Sequence, residues 1–393
     1  MKRNLEILCV YLTGLFQGLV LVIVPAASLV FTDPKIFGFS NEQYGLLFIP
    51  QVLAAIVTSL AGPALARRWG IRTALRTGLL FNILASASIA ASQCVWQNHA
   101  TAYLLVISGT GLVGAAFGVT LPIINVYAVN FFPKNSASAL TALHTLLGLG
   151  TALAPFLVAV LVKQMGWWVL PVGVAVALVV LLGGASILPL RDLRSSPSPK
   201  TLAEEPEVSW RPRVGLFALT VFLYGYCETL FANWAIIFLN RQKGLPIQEA
   251  GYALALFWIM VSLGRLLVSL AAVWVPARLV YRILPVLITL ALAGVSTISS
   301  SQAGLFLFAF AGLACSAFFP LSFNFGQQSF PPMAERISGW LMASYMAGYG
   351  VAAYGVGKII ETTSLPLKTL YLDSVLVGAG IIFLSSRLMS RLR

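Results

Sequence analysis

The stretch FLYGYCETLF, residues 222–231, places one carboxylic acid, Glu228, within a long run of apolar residues. A charged side chain at the centre of a membrane costs roughly 2.5–3.5 kcal/mol on insertion scales, so an acid retained there points to a partner or a function. It can carry a proton or another cation, contact a ligand, or stay neutral while hydrogen-bonded to a neighbouring helix. Tyr224 stands one helical turn earlier, on the same face. We expect Glu228 to line a central cavity and to change its protonation state.

Two further titratable residues in apolar runs, Arg265 and His144, are candidate charge partners of Glu228. Arg265 could instead extend its head group to the membrane surface, and His144 could be a structural, hydrogen-bonded residue. Amide and aromatic side chains in the same runs can bind a small polar solute, although helix–helix hydrogen bonding and packing use the same residue types. Besides Tyr224 and Glu228, the predicted solute-binding residues are Gln17, Asn125, Trp234, Trp258 and Asn324.

The elements that position these residues must lie in lipid, because the composition excludes a soluble protein. Hydrophobic residues make up 59% of the chain and charged residues 9%, whereas a soluble domain has about 25% charged residues. The net charge of +13 comes from Lys and Arg in short loops, which report membrane topology rather than nucleic-acid binding. The four cysteines are widely spaced in apolar runs, so we expect neither a disulfide framework nor a metal site.

A membrane-spanning helix needs about 20 apolar residues, and the chain supplies twelve such runs. The first six cover about 5–31, 42–65, 73–95, 102–131, 137–162 and 167–190, and the second six about 214–239, 249–273, 283–301, 304–326, 335–360 and 368–387. Runs that are continuously apolar and this long favour helices over barrel strands. The first run is longer than the core of a signal peptide, so we expect it to be retained as a span. The sequence therefore predicts an all-α membrane protein.

The distribution of Lys and Arg predicts the orientation of the chain in the membrane. With both termini on one side, eighteen of the 25 basic residues fall on that side and six on the other, while Arg265 lies within a span. Positive charge concentrates in cytoplasmic loops, so both termini are expected in the cytoplasm and the protein in the plasma (inner) membrane. The polar, Pro- and Ser-rich residues 191–213 read as a cytoplasmic linker between an N-terminal unit, 1–190, and a C-terminal unit, 214–393.

The two units repeat each other weakly but in the same order. YLTGLFQGLV (11–20) aligns with FLYGYCETLF (222–231), which pairs Gln17 with Glu228. At a constant offset, Gly45 pairs with Gly251 and Arg72 with Arg278. Two pseudo-symmetric six-helix bundles in parallel repeat are typical of secondary transporters, whose binding site lies between the repeats. We expect Gln17 and Glu228 to occupy equivalent places facing a central cavity.

Over essentially its whole length, the chain resembles the major facilitator superfamily, with six plus six spans, a long middle loop and cytoplasmic termini. Finer similarities resemble the fucose/hexose–proton symporter branch. They comprise Tyr224, Glu228 and Trp234 in helix 7, Gly264-Arg265 in helix 8, Phe318-Phe319-Pro320 in helix 10, and LHTLLGLG (143–150) in helix 5. Sugar–proton symporters of that type carry membrane acids in the N-terminal half, whereas the helices of this half contain only Glu6, at the membrane edge. The resemblance therefore does not support proton coupling in the first half.

The loop after the second helix, GPALARRWGIR (62–72), resembles the signature G-x-x-x-D-R-x-G-R-R of the superfamily. Arg68, Gly70 and Arg72 match it and are predicted to form the cytoplasmic gate, but Arg67 replaces the acid and Pro63 the first glycine. Without that acid, the basic cluster could pair with the C-terminal carbonyls of a helix or with lipid head groups.

The resemblance and the buried acid favour a secondary active transporter that works by alternating access, with proton-coupled symport of a sugar-like or other small polar solute. A proton-coupled exporter of drug-like or lipophilic compounds is the alternative, and a non-transporting membrane sensor or scaffold is a third reading. The exporter motif of helix 5 ends in Gly-Pro, whereas here Ala154 precedes Pro155, which favours import.

The sequence contains no Walker, zinc-site or nucleophile-elbow motif, so no motif in it indicates an enzyme. We expect a monomer that needs no cofactor.

Overall fold

The computed structural model describes residues 2–190, 212–330 and 333–390, and its membrane part is built from helices. The predicted linker, 191–213, lies outside the described residues except for its last two, which begin a helix. The first half comprises α1 (Lys2–Ala26), α2 (Phe48–Trp69), α3 (Ile71–Ala91), α4 (His99–Phe131), α5 (Ser136–Gln164) and α6 (Val169–Ile187). The second half comprises α7 (Pro212–Asn233), α8 (Ile247–Ala271), α9 (Ala277–Ser296), α10 (Ser301–Cys315 and Phe318–Ser329), α11 (Ala334–Gly350, continued to Thr363) and α12 (Leu367–Ser390).

Eleven helices in the described residues are long and apolar enough to cross a membrane. The twelfth predicted span, α11, is divided by a π turn at Val351–Gly355 before it continues as Val356–Thr363. Short helices at Ser28–Thr32 and Asn41–Leu46 follow α1 and precede α2. The prediction of twelve helical spans is confirmed, while several predicted spans prove to be interrupted helices.

Proline explains two of these interruptions. Pro25 has no N–H group to continue the hydrogen bonding of α1, and α1 ends one residue later, at Ala26. In the tenth span, expected as one helix over 304–326, Ser316 and Ala317 leave the helix. Pro320 lies four residues after Ser316 and cannot donate to its carbonyl.

The helix contacts of the first half recur in the second, which confirms two pseudo-symmetric bundles. In the first half α1 packs on α5, α2 on α4, and α3 on α6. In the second half α7 packs on α11, α8 on α10, and α9 on α12. Between the halves, α5 packs along α8, and α2 packs against α11.

We call the end of the bundle where α1 begins and α6 ends the linker side, and the opposite end the distal side. On the distal side the halves are in close contact along both seams, the α2–α11 seam and the α5–α8 seam. A Cβ atom on Gly45 would lie 2.3 Å from the carbonyl oxygen of Ala353, and one on Gly251 would lie 2.7 Å from Cβ of Ala159. Glycine has no Cβ atom and so permits both of these close contacts between the halves. Gly45 and Gly251 are paired with each other in the sequence repeat.

Polar contacts add to the distal closure. Lys358 forms an ion pair with Glu42 across the α2–α11 seam at 2.8 Å. The Tyr44 hydroxyl donates to the carbonyl of Asn233 at 2.9 Å, and its ring meets Trp234 edge-on. On the linker side the halves separate instead. A cavity of about 630 Å³ lies there between α2, α4, α10 and α11.

Candidate functional site

Glu228 lies inside the second half, between α7, α10 and α11, and is 4% exposed. One carboxyl oxygen, Oε2, accepts a hydrogen bond from the Tyr345 hydroxyl of α11 at 2.5 Å. The other, Oε1, is 2.7 Å from the Tyr224 hydroxyl, one turn earlier on α7. Both tyrosine rings contact Phe319 of α10. The carboxyl group is therefore enclosed by aromatic side chains from three helices.

The interruption of α10 supplies backbone acceptors to this site. The carbonyl of Cys315 is 2.8 Å from the Tyr224 hydroxyl. The next carbonyl, that of Ser316, accepts a hydrogen bond from Nε of Arg265 on α8 at 3.0 Å. Because Pro320 has no N–H group, the Ser316 carbonyl needs a partner outside its own helix, and Arg265 provides it.

The Tyr224 hydroxyl has one proton and two oxygen neighbours, which constrains the state of Glu228. The Cys315 carbonyl can only accept, so it takes the proton of Tyr224. Oε1 of Glu228 must then donate to the Tyr224 oxygen, which requires a protonated carboxyl group. An ionised Glu228 would instead draw the Tyr224 proton to itself and leave the Cys315 carbonyl without a donor. Every group is satisfied only when Glu228 is neutral.

Arg265 and His144 approach this site from the α5–α8 seam. The seam is antiparallel: Gly148 of α5 meets Ser262 of α8, and one turn towards the linker side come His144 and Arg265. Arg265 is half-buried and close enough to interact electrostatically with both Glu228 and His144. Within the described chain it forms no direct ion pair with Glu228. Tyr224, Glu228, Arg265 and His144 are thus the predicted residues that the structure brings together.

The other predicted binding residues lie elsewhere. Gln17 is fully buried within the first half, where its Oε1 accepts a hydrogen bond from Asn82 of α3 at 2.8 Å. Trp234 is fully buried at the distal side and donates to the carbonyl of Ala352. Asn324 is exposed and accepts a hydrogen bond from Gln328 on its own helix.

Three of the predicted residues, Gln17 (at Nε2), Asn125 and Trp258, have a buried polar atom without a partner in the described part of the chain. Asn125 lines the linker-side cavity, and its Oδ1 is buried and unpaired within the described residues. Trp258 of α8 is half-buried, and its Nε1 also lacks a protein acceptor in that part of the chain. These atoms can bind polar groups of a solute or water.

Comparison with known proteins assigns the architecture. The family model described as Major Facilitator Superfamily matches residues 7–360. The chain belongs to the Major Facilitator Superfamily. No curated protein matches it in sequence.

Solved structures of Major Facilitator transporters share the fold at 14% sequence identity. The crystal structure of a mutant of the nucleoside transporter NupG matches with a TM-score of 0.78, covering 99% of this chain and 100% of that one. A bacterial homolog to the human lysosomal transporter Spinster, in an inward-facing and occupied conformation, matches with a TM-score of 0.76 over 98% of this chain and 97% of that one. A D-xylose–proton symporter matches with a TM-score of 0.74 over 99% and 97%.

The loop that resembles the Major Facilitator signature stabilises the end of α6. Arg72 donates to the carbonyls of Ser186 and Leu188, each at 2.8 Å, and Arg76 also donates to Ser186. These carbonyls have no partner within the helix, and a cation there interacts favourably with the helix dipole. Gly70 joins α2 to α3 at φ 87°, a conformation that favours glycine. Arg68 is exposed.

Sequence reasoning missed Tyr345 and the two carbonyls of α10. Tyr345 is one of several aromatic residues in an apolar run, and nothing local distinguishes it from a packing residue. The carbonyls had a detectable signal, because a proline inside a helix frees the carbonyl four residues earlier. Pro320 therefore predicts a free acceptor at Ser316, although not which side chain binds it.

Proposed function

We propose that this Major Facilitator protein is a secondary active transporter that moves a small polar solute together with a proton, and that Glu228 carries the proton. The hydrogen bonds around Tyr224 are the observation that supports this most directly. They are complete when Glu228 is protonated and leave the Cys315 carbonyl without a donor when it is ionised. Loss of the proton therefore favours a rearrangement at the interruption of α10, a helix that also lines the cavity.

Alternating access is supported by the difference between the two sides. The distal side is closed by both seams, while a cavity is present on the linker side between helices of the two halves. Opening of the distal side would require the contacts at Gly45 and Gly251 to separate and the linker side to close. Binding energy and protonation at a central site can bias such an equilibrium only if they differ between the two states. Glu228 provides that difference through its hydrogen bonds.

The test of proton coupling is Glu228→Gln, which keeps the shape of the side chain but cannot ionise. We expect uptake driven by a proton gradient to be lost in proteoliposomes, while solute binding is retained. Asp373→Asn is the matched control, because Asp373 is an exposed acid on α12, and it should leave accumulation unchanged. If Glu228→Gln accumulates solute like the wild type under a proton gradient, Glu228 is structural and the proposal is wrong.

We further propose that the linker side is cytoplasmic and that the protein lies in the plasma (inner) membrane, as the asymmetry of basic residues indicates. A membrane-impermeant thiol reagent tests the orientation. Native Cys94 is exposed on the distal side and should react from outside intact cells. In a Cys94→Ser background, Ser198→Cys should react only after the membrane is permeabilised. Reaction of Ser198→Cys in intact cells would reverse the assigned orientation.

A further inference from the structure

The charges in the middle of the membrane part do not balance when Glu228 is neutral. Arg265 is half-buried, and its guanidinium uses Nε for the Ser316 carbonyl. Its two terminal nitrogens have no hydrogen-bond partner or ion pair within the described chain. A cation left partly buried without a counter-charge is costly, and the cost is relieved by an anion.

His144 lies beside Arg265 and can add a hydrogen-bond donor there. It faces Arg265 across the α5–α8 seam, is itself half-buried, and makes no hydrogen bond among the described residues. Two nitrogen-bearing side chains, one from each half of the protein, therefore lie close to each other, and the imidazole and the terminal guanidinium nitrogens have no hydrogen-bond partner among the described residues. A guanidinium presents paired donors whose spacing matches a carboxylate, and an imidazole adds a third donor. Neutral sugars offer hydroxyl groups but no charge to compensate Arg265.

We propose that the transported solute is an organic monocarboxylate, whose carboxylate binds between Arg265 and His144. This rests on the proposed function, and it specifies the solute of that function. Once the transporter has released both proton and solute, ionised Glu228 is the negative charge that offsets Arg265 through space. When Glu228 takes up a proton, the carboxylate of the solute replaces it. Proton and solute then favour each other's binding by the same factor, as linkage requires.

The cavity indicates the rest of the solute. Its wall on α10 is Phe323, whose ring contacts Phe319, and Phe319 in turn contacts Tyr345 beside Glu228. Phe117 and Trp340 also line it. These side chains accommodate an aromatic or aliphatic body. The same cavity is also lined by Ser59, Asn125, Arg336 and Ser338, which can bind further polar groups of the solute.

Matched pairs of ligands test this inference on the purified full-length protein in lipid nanodiscs. Each pair consists of a carboxylate and its amide: benzoate and benzamide, phenylacetate and phenylacetamide, hexanoate and hexanamide. Binding is measured by calorimetry at mildly acidic and mildly alkaline pH. We expect at least one carboxylate to bind about ten- to hundred-fold more tightly than its amide, because the bond is charge-assisted. The preference should be largest at acidic pH. If no carboxylate binds more tightly than its amide, the assignment of the solute is wrong.

Variants separate the anion site from proton coupling. Arg265→Gln should abolish the preference for the carboxylate over its amide, whereas Arg265→Lys should retain part of that preference. Arg282→Gln is the matched control, because Arg282 is an exposed arginine on α9. A wild-type carboxylate preference in Arg265→Gln would refute the site.

Transport assays distinguish failure of this inference from failure of the proposed function. If a neutral solute is accumulated through Glu228 and Arg265→Gln does not affect it, the anion assignment is wrong and the proton-coupled function stands. If carboxylates bind in an Arg265-dependent manner but Glu228→Gln accumulates them like the wild type, the anion site stands and the coupling role of Glu228 fails.

Discussion

Substitution of Gly45 by alanine should open the distal side of the transporter. The added Cβ would lie 2.3 Å from the carbonyl oxygen of Ala353 and 3.0 Å from Cα of Tyr354. Both are backbone atoms of α11 and cannot rotate away. To reach ordinary van der Waals contact, the two helices must separate by about 1 Å, and overpacking of this kind costs roughly 1–3 kcal/mol.

This cost applies only to the distal-closed state, because the two helices separate when that side opens. The gain in helix propensity from glycine to alanine is present in both states and cancels. A difference of roughly 1–3 kcal/mol shifts the ratio of closed to open molecules by about 5–150-fold. Gly45→Ala should therefore convert a population that is mainly distal-closed into one with a large distal-open fraction.

Electron–electron distance measurements between spin labels check this outcome. Asn98 and Ser300 are exposed distal positions in different halves, so Asn98→Cys and Ser300→Cys in a Cys94→Ser background provide the labelling sites. Gly62→Ala is the matched control, because its Cβ would meet only one atom within 4 Å, at 3.6 Å. We expect a new longer distance in Gly45→Ala and none in Gly62→Ala. Identical distance distributions in the two variants would show that close packing at Gly45 does not hold the distal side closed.

Two other substitutions test the stabilisation of the end of α6 and the role of the interruption of α10. Arg72→Gln should lower the free energy of unfolding by about 1 kcal/mol, since it removes donors from the last carbonyls of α6, whereas the exposed Arg68→Gln should leave the melting temperature unchanged. Pro320→Ala restores an N–H group that can bond to the Ser316 carbonyl and displace Arg265. We expect this variant to melt at or above the wild-type temperature yet to lose uptake; normal uptake would show that the freed carbonyl has no role.

The sequence predicted the helices and the repeat well because those features depend on local composition. Twelve apolar runs became twelve helical spans, and the aligned glycines Gly45 and Gly251 both lie at distal contacts between the halves. The sequence alone also identified Glu228 as a candidate functional residue, because an acid in an apolar run can be recognised without knowing its neighbours in space. Its partner Tyr345 lies more than a hundred residues away, and no local signal connects the two.

The direction of each side chain was the harder problem. A helix that is apolar on all sides has no periodicity that marks its inward face. Gln17 aligns with Glu228 and was expected to face a central cavity with it. The structure instead pairs Gln17 with Asn82 of α3, inside the first half, while Glu228 meets α10 and α11. Equivalence in the repeat therefore did not predict the partners of the two residues.

The acceptors at the interruption of α10 have a consequence for mutagenesis. Tyr224 and Arg265 bind the carbonyl oxygens of Cys315 and Ser316, which belong to the backbone. Replacing Cys315 or Ser316 by alanine keeps the backbone carbonyl in place. An alanine scan would therefore rank both positions as tolerant to substitution although their carbonyls anchor the site. Only a change in backbone geometry, such as one at Pro320, removes these acceptors. Tolerance to substitution is thus a poor guide to importance in this part of the transporter.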